Sequence, residues 1–125
     1  MPEANPVNES SSLALAELVT EALVDMKAEA IARFPVDHLT SITDFMVIAS
    51  GRSDRHVKAI ASAVREHCAA QGCRALGVEG QESGEWILVD LGDVVVHVMI
   101  PRVREFYNLE KLWDMSPDGE ALPRG

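Results

Sequence analysis

Along most of the chain apolar positions recur either every second residue or at helical spacing, and the clearest case of the first lies between Trp86 and Ile100, WILVDLGDVVVHVMI. Two runs rich in β-branched residues flank Gly92-Asp93, and Gly at the first loop position supplies the positive φ that a tight hairpin turn needs. With Leu91 opposite Val94, the register pairs Asp90 with Val95, Val89 with Val96, Leu88 with His97, Ile87 with Val98 and Trp86 with Met99. Alternation then places Ile87, Val89, Leu91, Val94, Val96, Val98 and Ile100 on one face, a pure core surface. The other face carries Trp86, Leu88, Asp90, Val95, His97 and Met99, a mixture suited to being covered by another element or another protein.

The remaining pattern predicts alternating helices and strands. Residues 1–11 hold almost nothing to bury and read as a disordered leader. From a Ser12 cap, Leu15, Leu18, Val19, Ala22, Leu23 and Met26 repeat at helical spacing to about Ala28, with Glu17, Glu21 and Asp25 outward. Ile31 to Val36 reads as a first strand, which Pro35 demotes to an edge position or an early end because it cannot donate to a ladder. Asp44 to Ser50 is an almost unbroken apolar run, expected to be a strand buried on both faces. After the Gly51–Asp54 turn, capped by Ser53 or Asp54, Val57, Ile60, Ala61, Val64 and Cys68 line one side of a helix that stops at Gly72. Its outer side carries Arg55, Lys58 and Arg65. Arg74 to Glu79 is a short third strand, Gly80 to Gly84 a loop, and Pro101 opens a last helix whose stripe is Val103, Phe106, Leu109 and Trp113. From Ser116 on, a disordered tail is expected. The reading is a single α/β (α+β) domain over residues 12–115, with one mixed β-sheet of about five strands and helices on both faces.

Composition narrows the function. At 125 residues, 47% hydrophobic and 25% charged, the chain is a soluble globular unit able to bury a core. No apolar run is long enough to cross a bilayer, and residues 1–30 lack the features of a secretory or transit signal, which points to a cytoplasmic protein. The net charge is −9. Residues 75–101 carry five acids and no Lys or Arg, so the hairpin segment is the one purely acidic block. Direct nucleic-acid binding as the main activity is disfavoured, since phosphates require clustered cations. A basic protein is the natural partner, and a solvated acidic surface is the plainer reading of the same charge.

Candidate chemistry is sparse. Cys68 and Cys73 are too few for a disulfide framework, and no further ligands at compatible spacing follow them and His67, so no metal site is expected. Asp90 and Asp93 are the carboxylate pair to consider for Mg²⁺, but Asp90 points off a strand face while Asp93 sits in the turn, where Asp serves its own hydrogen bonding. Ser50-Gly51-Arg52-Ser53 precedes a helix without the Lys placement of a phosphate-binding loop. His38, His56, His67 and His97 stand near no recognisable nucleophile. No active site and no cofactor are expected. Trp86 divides evenly between core and contact, Trp being enriched among interface anchors.

Four blocks then fall into a known order: TDFMVIASG at 43–51, GVEG at 77–80, EWILVDLGDVVVH at 85–97 and REFYNLEKLW at 104–113. Over roughly residues 13–114 the chain resembles the ribosomal silencing factor (RsfS, or iojap-related) family. That resemblance implies a fold related to nucleotidyltransferases without their catalysis, and binding to the large ribosomal subunit through ribosomal protein L-fourteen. The bound protein would hinder joining of the small subunit and repress translation under nutrient limitation, with a further link to large-subunit maturation. Carried over residue by residue, the contact is Trp86, Leu88, Asp90, Asp93, Val95, His97 and Met99, with Glu79, Arg104 and Tyr107 at its rim. The sequence departs from its relatives at Phe34-Pro35-Val36, where they show an acidic residue between two apolar ones, which bears on the length of the first strand. The rival expectations are a nucleotidyltransferase-like Mg-dependent enzyme using Asp90 and Asp93, and a homodimer that uses the same mixed face when free.

Overall fold

A computed structural model describes residues 9–114, with side chains from 11 to 111. Of the leader expected over residues 1–11, residues 9–11 belong to α1 instead, while residues 1–8 and the tail expected from Ser116 lie outside the described residues. The elements are α1 (Glu9–Asp25), β1 (Glu29–Pro35), β2 (Phe45–Ser50), α2 (Asp54–Ala70), β3 (Gly77–Glu79), β4 (Trp86–Asp90), β5 (Val94–Met99), α3 (Pro101–Tyr107) and α4 (Leu109–Asp114). The five strands form one mixed sheet in the order β1-β2-β5-β4-β3, and β2 with β5 is its parallel pair.

The hairpin of β4 and β5 has the expected register at every pair, and Leu91 N–H closes it by donating to the Val94 carbonyl at 2.9 Å. Gly92 takes φ 90°, a conformation that costs glycine nothing because it has no Cβ. Pro35 lies on β1, an edge strand, where its missing N–H is harmless. Strand β1 bulges between Glu29 and Ala32, with Ala30 at φ 50°.

Helices α1 and α2 cover one face of the sheet. Leu15, Val19 and Leu23 of α1 and Val57, Ile60, Val64 and Cys68 of α2 pack on Val47, Ala49, Ile87, Val89, Val94, Val96 and Val98, all buried. This is the face expected to be pure core. Two side-chain ties hold the helices antiparallel: His56 Nε2 meets the Met26 carbonyl at 2.9 Å, and His67 Nε2 meets Glu21 at 3.0 Å. A smaller core of Phe34, Val36, Met46, Ile48, Met99 and Val103 occupies the opposite face, beneath α3 and the connection after β1.

Three expectations need correcting. Helix α1 starts at Glu9, three residues before the expected Ser12 cap, and Ser12 is instead buried within it and donates to the Asp44 carboxylate. A serine that bridges an element to a distant carboxylate is indistinguishable in sequence from one that caps. Strand β3 is shorter than Arg74–Glu79, pairing with β4 over Gly77–Glu79. The last helix is two short ones, because Asn108 adopts a left-handed φ of 50° and caps α3 through its N–H to the Arg104 carbonyl. Phe106 is consequently 78% exposed and does not join the expected stripe, although Val103 is buried and Leu109 packs on the smaller core. The Trp113 side chain lies outside the described residues.

Candidate functional site: the Trp86 face

The mixed face of the hairpin is covered unevenly. At the end of β5 the small helix α3 closes over it, so Met99 is fully buried and His97 is 7% exposed. Both were expected in the contact; Met99 is core, and His97 acts from below. Trp86, Leu88, Asp90 and Val95 are partly exposed on the same face. Glu79 is exposed and pairs with Leu88 across the β3–β4 ladder, which puts it on the same face at the sheet edge.

Trp86 is the fixed point of this surface. Its indole Nε1–H donates to His97 Nδ1 at 2.9 Å, so the polar end of the ring is satisfied from within the protein while part of its apolar body stays outside. Burial lowers the His97 pKa from its ordinary 6.5 to about 4. The imidazole is therefore neutral near pH 7, and accepting at Nδ1 leaves its proton on Nε2. On the other side, Trp86 meets Tyr107 with ring centroids 4.9 Å apart, and Tyr107 in turn meets Phe106 edge-on at 5.0 Å. Tyr107 is 54% exposed. The three aromatics border a shallow groove lined also by Ser83, Glu85, Arg102 and Val103. Sequence reasoning missed Phe106, which helical spacing had assigned to the core; Asn108, a residue tolerant of the left-handed region, was the available sign that the helix ends before Leu109.

Glycine is required beside Trp86. Gly80 has φ +89°, and a Cβ there would lie 2.0 Å from the Trp86 carbonyl oxygen. The β3–β4 connection can therefore press against the Trp86 backbone only without a side chain.

Arg104 is not at the rim. Its guanidinium grips Glu110 through two bonds, at 3.1 and 2.8 Å, and donates to Ser50 Oγ at 2.9 Å, with both charged side chains largely buried. It clamps α3 and α4 to the end of β2 and so sets the position of the Tyr107 ring. Asp90 is partly engaged locally, one carboxylate oxygen accepting from the Gly92 N–H at 2.9 Å. Asp93 is exposed in the turn, where its carbonyl accepts from the N–H groups of Asp44 and Phe45. The Asp90 carboxylate thus serves the turn, whereas at Asp93 it is the backbone carbonyl that is engaged. Among the described residues no cluster of three or more His, Cys, Asp or Glu could hold a metal ion. Burial, with Cys73 nearby, pushes the Cys68 thiol up to about 11, far from a reactive thiolate. No described helix is long and apolar enough to cross a membrane.

The family model for "Ribosomal silencing factor during starvation" matches residues 9–124. The chain belongs to the ribosomal silencing factor family. A ribosomal silencing factor RsfS of Chromobacterium violaceum is 48% identical over 99 residues, covering 79% of this chain and 81% of that protein. A crystal structure of a protein from the same organism superposes with a TM-score of 0.82 at 42% identity, covering 90% of this chain and 89% of the other. The mouse "Mitochondrial assembly of ribosomal large subunit protein 1" is 40% identical over 83 residues, 64% of this chain and 36% of that longer protein. The α+β fold with its mixed five-stranded sheet is shared with a family structure and is not peculiar to this sequence.

Proposed function

We propose that the chain acts as a steric silencer in the cytoplasm: it docks through the Trp86 face on ribosomal protein L-fourteen of the large ribosomal subunit and occupies space the small subunit needs. No bond is made or broken, so no catalytic group or cofactor is required. The observation that carries this reading is the part of the hairpin face that α3 leaves open. There Trp86, Leu88 and Val95 offer apolar area, with Tyr107 and Phe106 beside them. The acids Glu79, Glu85, Asp90 and Asp93 belong to the same segment, which has no Lys or Arg. An apolar centre bordered by carboxylates suits a cationic protein surface, the apolar part supplying affinity and the charges the rate of encounter. The mouse relative's name ties that protein to the large subunit, which agrees with the proposed partner.

As an anchor whose ring is held by His97 and Tyr107, Trp86 should contribute about 2 kcal/mol or more, so Trp86→Ala is expected to weaken binding to purified large subunits by roughly thirtyfold. Gradient sedimentation of tagged protein with ribosomal subunits measures it. A folded Trp86→Ala protein that co-sediments with large subunits as well as the parent would show that this face is not the docking site.

A further inference from the structure

A second surface lies on the other side of the sheet. Helix α2 buries Val57, Ile60, Ala61, Val64 and Cys68 and turns Arg55, Lys58 and Arg65 outward. At spacings of three and seven residues these cations share one stripe, with the small Ser62 and Ala69 between and beyond them, and span about 15 Å along the axis. Arg74 follows the helix and lines a shallow groove with Ser62, Arg65, Ala69 and Glu66. The Lys58 stem lies beside the loop at Gly84. All four cations are exposed, and among the described residues none has a carboxylate within ion-pair distance, Glu66 included. In a chain of net charge −9 with eleven Lys and Arg, these four cations form a local positive strip, flanked on the same layer by the exposed acids Glu21 and Asp25 of α1 and Asp54 and Glu66 of α2.

We infer that the α2 stripe, with Arg74, is a contact for the phosphate backbone of RNA, used while the Trp86 face holds a protein partner. The inference rests on the docking reading above, which brings the chain onto a particle rich in RNA. Long cations separated by small side chains let a phosphate backbone approach closely, and the contact needs no base reading. A lipid surface fits less well, since a helix that lies in a membrane interface inserts its apolar side and that of α2 is buried in the core.

The experiment compares the parent with two double variants of equal charge change, Arg55→Gln/Arg65→Gln in the stripe and Lys27→Gln/Lys111→Gln away from it. Each is titrated against a short A-form RNA duplex at low ionic strength, against anionic phosphatidylglycerol vesicles, against purified large subunits over a range of salt, and against the isolated basic ribosomal protein. The stripe variant is expected to lose about fivefold or more on the duplex and on subunits, with a salt slope smaller by about two, and to keep its affinity for the isolated protein. Duplex binding that is absent in the parent, unchanged in the stripe variant, or equally reduced by the control pair overturns the inference. So does stripe-dependent binding to vesicles that exceeds binding to RNA. If the parent binds the duplex through the stripe yet fails on both subunits and the isolated protein, the docking reading falls and the RNA contact stands.

Discussion

His97 shows how one buried side chain shapes an exposed one. It holds the Trp86 indole through Nδ1, and it does so as a neutral ring because burial lowers its pKa to about 4. In the unfolded chain the same group titrates near 6.5. The stability this contributes is full above that pH, falls as pH drops from about 6.5 toward about 4, and levels off once both states are protonated. The change amounts to about 3 kcal/mol. Urea unfolding of the parent and of His97→Gln between pH 7 and pH 4 should show the parent losing more stability by about that amount, the difference cancelling the carboxylates common to both. A parallel pH dependence in the two proteins would mean that His97 is not held neutral. Gly80 is the other residue with a sharp expectation: Gly80→Ala adds a Cβ 2.0 Å from the Trp86 carbonyl at a positive φ, and should cost about 2 kcal/mol or more in denaturant unfolding.

Among the elements, α3 and α4 are too short to be stable alone and depend on what clamps them. Arg104 is that clamp, joining Glu110 of α4 to Ser50 of β2. Arg104→Ala leaves a largely buried carboxylate without its fork and is expected to destabilise the protein by about 2 kcal/mol or more. Arg104→Lys should recover only part of this, because an ammonium cannot make the two parallel bonds. Since Tyr107 rides on the same helix and touches Trp86, both variants should also weaken large-subunit binding. Tryptophan fluorescence and sedimentation follow the two effects, and loss of binding without any change in stability would place Arg104 in the interface after all.

Across the molecule, the acids of the hairpin segment and the cations of α2 stand apart, although α1 brings Glu17, Glu21 and Asp25 to the same layer as α2. The acidic hairpin segment edges the Trp86 face, while the α2 cations stand on the opposite side of the sheet. For association of the Trp86 face with a basic protein, the rate of encounter should fall as salt rises while dissociation changes little, because exposed charges act over about 10 Å at moderate ionic strength. Stopped-flow binding to the isolated basic partner checks this; an association rate indifferent to salt would remove the electrostatic part of the proposal.

Much of this architecture follows from local rules. The hairpin register and the buried stripe of α2 were legible because turn chemistry and side-chain periodicity act between near neighbours, and Pro35 narrowed its strand to an edge or an early end. The family, too, was legible in four short blocks whose order survives without coordinates. What periodicity could not supply was which half of the mixed face stays open. Met99 and Trp86 sit directly opposite each other in the ladder with equal claims to exposure, and only the packing of α3, pinned by Arg104 to residues far away in the chain, buries one and leaves part of the other outside. Ser12 was misplaced for the same reason, its partner Asp44 lying far along the chain, whereas Phe106 was misplaced because Asn108 ends α3 locally. A residue's type and spacing determine what it prefers, whereas its exposure is settled by elements that arrive from elsewhere in the sequence.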